Sequence, residues 1–339
     1  MLDWSATRIT TDLDLERSGT TIGDLRLKFS DNRYPLGYIP VPIGVIAGRV
    51  GPTVLLTAGV HGDEFEGPVA LLDLLHTASP AEVRGRIIVL PALNAPAVRE
   101  SSRVSTLDGV NLNRAFPGDP HGGPTAMIAH FVEEILLPHC DAALDLHSGG
   151  KAAYFTPCAM AGRDTAGNVS AANVALAEAF GAPLVWIMGA LNDNRSLNGA
   201  AARKGIDMIA VELGGGGAVT TGPLAAAKRG IIGFLRQVGL LDGIVGPGNA
   251  RHVELGSAEQ NLHSPRDGLF EPMFDAGEEV TQGQPAGLVY SLSEPERPPA
   301  RLQFACSGTV LCRSNRGLVE RGDLLASVAV DVATLTPGP

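Results

Sequence analysis

The chain has 339 residues, 45% hydrophobic and 18% charged, which excludes a disordered polypeptide and leaves room for a large core and two domains. Its formal net charge of -10 opposes nucleic acid and anionic membrane surfaces, so neither is expected as a partner. No apolar run reaches the roughly 18 residues that span a bilayer, the start Met1-Leu2-Asp3-Trp4-Ser5 has no leader character, and Cys140, Cys158, Cys306 and Cys312 show no C-x-x-C spacing, so a cytoplasmic protein with reduced thiols is expected.

In chain order, the segment from about Gly37 to Val50 alternates apolar and small residues with prolines and predicts strands or a hairpin entering the fold. Beyond it, apolar β-rich runs predict strands at Thr53–Ala58, Arg86–Leu90, Ala142–His147, Leu184–Met188 and Met208–Leu213. Helical patterns between them predict Phe65–His76, Thr125–Leu137, Asn168–Phe180 and Pro223–Val238. Near-continuous apolar strands alternating with amphipathic helices predict an α/β fold, its mostly parallel sheet covered by helices on both faces. In such sheets functional residues gather past the carboxyl ends of the strands. His61, His147 and Glu212 all fall at or just past such ends.

The Gly/Pro-rich stretch from Asp242 to Gly248 divides the chain into an expected catalytic domain, 1–245, and a small all-β domain, 246–339. The second part shows short strands separated by Gly, Pro and Asp turns, with turns resembling those of lipoyl- or biotinyl-type domains. A carrier role needs an attachment lysine at a hairpin tip, and no lysine follows Lys228. A structural cap or an oligomerisation element, giving a possible homo-oligomer, is the expected role.

Gly59-Val60-His61-Gly62-Asp63-Glu64 places an imidazole and a carboxylate three residues apart where a buried strand turns toward a helix. Two His and one Glu leave zinc one open position, the arrangement of a catalytic site, and His147 supplies the second imidazole. Alone, the first pair could be a solvated turn and His147 a hydrogen-bonded core histidine. Asp145, on the same side of its strand as His147, either orients the imidazole as an acceptor or is a structural buried acid. Arg103 and the pair Asn113-Arg114, in a Gly- and Pro-rich segment, offer guanidinium groups that grip carboxylates in parallel hydrogen bonds; surface salt bridges are the alternative. Glu212, between apolar neighbours, would be desolvated and raised toward the range of a general base. The run Gly214-Gly215-Gly216-Gly217 lacks the Gly-Lys-Ser/Thr of a phosphate loop and suits close approach of backbone or substrate.

The order H-G-D-E, an arginine, N-L-N-R-x-F, D-L-H-S-G-G and V-E-L-G-G-G-G resembles the succinylglutamate desuccinylase/aspartoacylase family of zinc carboxypeptidase-like enzymes, over roughly Pro52 to Leu240. Within it, D-L-H-S-G-G-K, E-L-G-G-G-G and the run from Asn111 to Pro120 are similar to the N-acetyl-2,4-diaminobutyrate deacetylases of ectoine degradation. The resemblance implies a zinc carboxypeptidase-like fold with a mixed, mostly parallel sheet. It implies one zinc ion per chain on His61, Glu64 and His147, Arg103 polarising the scissile carbonyl, Asn113 and Arg114 holding the substrate carboxylate, and Glu212 as base. The substrate it implies is a small N-acyl amino acid. Two departures stand out: the family's Asn-Pro pair reads Asn94-Ala95-Pro96, and the longer spacing from Arg103 to Asn113 leaves Arg99 as a rival. Tyr290 is a candidate for the tyrosine contributed by the family's C-terminal domain, and Asp193 or Asp207 for an acid facing a cationic side chain. Two other classes remain open at this point. One is a carboxypeptidase-type enzyme acting on peptides; the other is a small-molecule binding protein with a degenerate metal site.

Overall fold

The structure is a computed structural model and describes residues 3–30, 36–163, 168–189, 193–245 and 248–332. At its centre lies the strand Arg49–Ala58, whose end Val54-Leu55-Leu56-Thr57-Ala58 is buried throughout. It runs parallel to Arg84–Leu90 on one side and to Ala142–His147 on the other. Ala142–His147 in turn runs parallel to Asp207–Gly215, with His147 directly opposite Glu212. Successive strand residues point to opposite sides. Accordingly Leu55 and Ile88 join one apolar cluster with Met127, Phe131 and Ala200, while Val54, Leu56 and Ile87 join another with Leu71, Phe180 and Phe234. Parallel direction brings the carboxyl ends of these strands to one edge, which positions the site.

The sheet as a whole is mixed, as expected, but it is not mostly parallel. Gly19–Lys28 pairs antiparallel with Tyr38–Ala47, and Tyr38–Ala47 pairs antiparallel with Arg84–Leu90. Ala153–Gly162 is antiparallel to Asp207–Gly215 and parallel to Leu184–Met188. The expectation followed the long apolar runs, and those are the buried parallel strands. Gly19–Lys28 is only partly buried and reads as polar alternation. Ala153–Gly162 contains Pro157, at a register shift between Phe155 and Cys158, where proline is tolerated in a strand.

Helices Glu66–Thr77 and Thr221–Val238 lie within a residue or two of the expected bounds. The third expected helix begins later, at Ala171, where the Ser170 hydroxyl accepts from the Asn173 amide. The second is not uniform: an α-helix Pro124–His130 widens to a π-helix over Phe131–Leu136 and tightens to a 3-10 turn at Leu137–His139. A further helix, Leu197–Lys204, was not expected. It is capped by Ser196 and closed by Gly205 at φ 70°.

From Arg251 onward the described regular structure is short strands joined by turns, apart from one 3-10 turn at Ala258–Gln260. Ala300–Gln303, Pro285–Tyr290, Gly268–Pro272 and Leu318–Val319 form a separate four-stranded sheet. Phe270, Phe274 and Phe304 anchor an apolar cluster in this region. Arg251–Glu254 and Gly308–Ser314, however, pair with Leu184–Met188 and Ala153–Gly162, so the region is hydrogen-bonded into the large sheet. The expected boundary at 245/246 touches residues 246 and 247, which lie outside the described residues. Among the described residues no helix is long and apolar enough to cross a membrane.

The helix Leu197–Lys204 is tied down by Arg203, which donates from Nε and Nη2 to the two oxygens of buried Glu133 at 2.8 and 2.7 Å. Arg203→Ala strands that carboxylate. Because the guanidinium is partly exposed, the expected cost is below the usual range for a broken buried pair, about 2–3 kcal/mol. Urea unfolding checks this, and the double variant Arg203→Met/Glu133→Gln is expected to be more stable than Arg203→Ala. An unchanged midpoint for Arg203→Ala would show that the pair does not anchor the helix.

Candidate active site

The central strand ends at Ala58, and Gly59 turns the chain at φ 66° toward His61. Gly62 approaches the segment 97–103 so closely that a Cβ there would meet Ala97 at 2.0 Å. Its amide donates to the Ser102 carbonyl at 2.9 Å, which brings Arg103 beside Glu64. Only glycine allows that approach.

Glu64 is buried and holds the site together. Its Oε1 lies 2.7 Å from His61 Nδ1 and its Oε2 2.9 Å from His147 Nδ1. The Ser148 amide donates to Oε2 at 3.2 Å, and Arg103 Nη1 donates to Oε1 at 3.4 Å. The far nitrogen of each imidazole also meets an oxygen: His147 Nε2 lies 2.7 Å from Asp145 Oδ2, and His61 Nε2 3.2 Å from Asn111 Oδ1. Asp145 is itself oriented by the Thr57 hydroxyl at 2.7 Å, and Asn111 Oδ1 by the Asn113 amide at 2.9 Å.

The electrostatics follow from this packing. Burial opposes a charge on His147, but the carboxylates of Asp145 and Glu64 outweigh it and hold the ring well above its ordinary pKa. Burial likewise pushes Glu64 up, yet the imidazoles, His147 foremost, hold it down at about 2. Glu212 is the opposite case. Burial, reinforced by the charge of Glu64, pushes it up to about 8, and its Oε2 is shielded from solvent with no hydrogen-bond partner.

Both nitrogens of each imidazole thus face oxygen acceptors, and both Nδ1 atoms converge on one carboxylate. Ligand atoms of His61, Glu64 and His147 lie within 4.8 Å of one another. Such a set closes around a cation, and the His147–Asp145 contact is the support that metal-ligating histidines normally have. The residues fit a divalent metal ion.

Beside them lies a cavity of about 210 Å³, lined by His61, Arg103, Asn113, Arg114, His147 and Glu212 among others. Six of the seven expected residues therefore meet at one cavity, and Glu64 sits against both imidazoles. Other expectations fall differently. Asn113 Oδ1 accepts from the Leu197 amide at 3.1 Å, so part of its amide is committed to capping a helix. Arg114 pairs through Nε with Asp193 at 3.0 Å and donates from Nη1 to the Asn113 carbonyl at 2.6 Å. Asp193 stands at the cavity but is also gripped by Arg195. Asp207 begins its strand, at the end away from Glu212, and is exposed. Arg99 ends the short helix Ala95–Arg99 and does not line the cavity. Tyr290 also lies off the cavity, its hydroxyl donating to Glu271 at 2.8 Å.

The sequence assigned no role to Asn111, Thr57 and Lys151, nor to Met160, Trp186, Asn198 and Ala210 at the cavity. Lys151 donates from its amide to Asp63 Oδ2 at 2.8 Å and from Nζ to the Ser101 carbonyl at 2.6 Å, clamping a residue at φ 49° two positions before Arg103. Its place at the end of the D-L-H-S-G-G-K segment was the signal available in the sequence. Gly214–Gly217 all have positive φ. A Cβ at Gly215 would lie 2.3 Å from the Ala153 carbonyl oxygen, so the run admits backbone rather than phosphate.

The model of the succinylglutamate desuccinylase/aspartoacylase catalytic domain matches residues 50–238. The N-alpha-acetyl-L-2,4-diaminobutyric acid deacetylase of Halomonas elongata is 36% identical over 329 residues, 96% of this chain and 96% of that protein. A crystal structure of succinylglutamate desuccinylase/aspartoacylase from Rhodobacter sphaeroides superposes with a TM-score of 0.89 at 37% identity, covering 96% of this chain and 100% of that one. The product-bound ectoine utilization protein EutE (DoeB) of Ruegeria pomeroyi does so at 0.89 and 38%, covering 95% and 98%.

Asp145→Asn keeps the shape of the acceptor but removes the charge behind His147. Divalent-metal affinity, measured by chelator competition, is expected to fall about 10- to 100-fold. Unchanged affinity would mean that the His147–Asp145 contact does not support a metal ligand.

Proposed function

The chain belongs to the succinylglutamate desuccinylase/aspartoacylase family of deacylating hydrolases, and on that premise we propose that it is a zinc-dependent deacylase of N-acyl amino acids. The substrate proposed is N-alpha-acetyl-L-2,4-diaminobutyrate, cleaved to acetate and 2,4-diaminobutyrate. One observation carries the chemistry: the Nδ1 atoms of His61 and His147 converge on Glu64 while Glu212 stands opposite His147 on the next strand. The substrate rests on likeness, over nearly the full length of both chains, to a deacetylase of that compound.

A zinc ion held by His61, Glu64 and His147 would polarise the amide carbonyl and bring the pKa of a water molecule toward about 7. Glu212, raised by burial, is matched to take a proton from the attacking water. The water oxygen bonds to the carbonyl carbon, the carbon–nitrogen bond breaks, and Glu212 returns the proton to the leaving amine. Arg103, half exposed at the cavity and already beside Glu64, donates hydrogen bonds to the carbonyl oxygen as its negative charge grows. Arg114, with Nε fixed on Asp193, keeps donors for the substrate carboxylate, and the Asn113 amide nitrogen adds another.

The same reading takes the sheet as covered by helices on both faces, supported by the two apolar clusters that share alternate residues of the central strands. It takes 1–245 as the catalytic domain and 246–339 as the β domain, supported by the absence of any α-helix among the described residues after Arg251. Four free cysteines support a cytoplasmic location.

Glu212→Gln is expected to retain zinc and thermal stability while kcat for N-acetyl-diaminobutyrate falls about 10²- to 10⁴-fold. Near-normal turnover by that variant would remove Glu212 from the chemistry. No hydrolysis of N-acetyl-diaminobutyrate, N-acetylaspartate, succinylglutamate or N-acetylornithine by the zinc-loaded wild type would remove the deacylase reading itself.

A further inference from the structure

We infer that the cavity wall built by Ala210, Met160 and Trp186, with Asn198 at its rim, selects the side chain of the amino acid and favours a cationic one over an anionic one. This rests on the deacylase reading above. Ala210 faces Met160 across one strand pair and Met160 faces Trp186 across the next, so the three form a row across neighbouring strands. Residues two apart on a strand share a face, which puts the row beside Glu212, and all four line the cavity.

The wall continues into the corner that holds Arg114. The Trp186 strand ends at Met188, also at the cavity, and Asp193, the partner of Arg114, lines it too. Four residues on, the Leu197 amide is held by Asn113. The carboxylate and the side chain of an amino acid branch from one carbon atom. A substrate whose carboxylate meets Arg114 therefore lays its side chain against this wall rather than toward Arg103, which stands on the Glu64 side.

The charges then discriminate. The described cavity-lining residues include two arginines, of which Arg103 stands by Glu64 and Arg114 is taken by the substrate's own carboxylate. A second carboxylate, at the end of the side chain, would lie against Met160 and Trp186, with no further arginine and no lysine among the described cavity-lining residues to pair it, and burying an unpaired charge is costly. An ammonium finds the indole face of Trp186, which attracts cations. It also finds Asn198, whose side-chain oxygen is buried and has no donor; an ammonium has three donors to offer and no acceptor. Asp193 contributes little of its own charge, since Arg114 and Arg195 both hold it.

The test pairs turnover with binding on the zinc-loaded enzyme. N-acetyl derivatives of 2,4-diaminobutyrate, 2-aminobutyrate (its neutral counterpart) and aspartate are compared by kcat/KM, and the three free amino acids by calorimetry. Wild type is expected to prefer the cationic compound, with aspartate at least about 100-fold below the neutral one, the scale on which unpaired buried groups reject a ligand. Trp186→Leu and Asn198→Ala are each expected to lower the cationic-to-neutral ratio about 3- to 30-fold, through KM and Kd rather than kcat, in line with a desolvated cation–aromatic contact. Asn198→Asp is expected to raise that ratio. Aspartate within about tenfold of the neutral compound, or a ratio untouched by all three variants, overturns the assignment. If none of the acetyl compounds is hydrolysed but the free amino acids bind in the stated order, the side-chain pocket stands and the deacylase reading falls. Hydrolysis without that order has the reverse meaning.

Discussion

Glu64 is a carboxylate removed from water and held between two imidazole nitrogens, at 2.7 and 2.9 Å. Isolated at that depth, its charge would be too expensive to keep. The imidazoles, His147 foremost and then His61, hold Glu64 at about 2 against its burial, and the Ser148 amide and Arg103 also donate to it. The same charge contributes to pushing Glu212 up to about 8. One buried anion therefore gathers the ligand set and helps to tune the group opposite.

The fold delivers these groups through strand direction. Because Arg49–Ala58, Ala142–His147 and Asp207–Gly215 run parallel, their carboxyl ends meet at one edge, with His147 and Glu212 in register. Glycines close the remaining gaps. Gly62 lets the Arg103 segment approach, and the Gly214–Gly217 run lets the loop after His147 pack against its neighbour. The C-terminal strands pair with Ala153–Gly162 and Leu184–Met188, the strands that carry Met160 and Trp186. That region therefore stiffens the wall of the cavity without placing Tyr290 in it.

What could be read in advance followed from periodicity and spacing. Ala142–His147, buried throughout, and Leu184–Met188, mostly buried, stand at their expected bounds because such strands announce themselves as apolar runs. His61, Glu64, His147 and Glu212 were legible because each follows or ends such a run. Gly19–Lys28 escaped because a half-buried strand mixes polar and apolar residues, and Ala153–Gly162 because Pro157 interrupts it. Leu197–Lys204 is short and depends on tertiary ties, the Asn113 cap and the Arg203–Glu133 pair, that no local pattern encodes. Asn111, Thr57 and Lys151 act on the site across 50 or more residues of sequence, through contacts that only folding creates: 50 residues separate Asn111 from His61 and Lys151 from Ser101, and 88 separate Thr57 from Asp145.

The central claim is that Glu64 and the two Nδ1 atoms enclose a zinc ion. Diffraction from crystals of the purified protein, recorded on both sides of the zinc absorption edge, tests it most directly. The account predicts one anomalous peak per chain within about 2.0–2.2 Å of His61 Nδ1, His147 Nδ1 and a Glu64 oxygen. An anomalous map with no peak there, or with its zinc bound elsewhere, would contradict it.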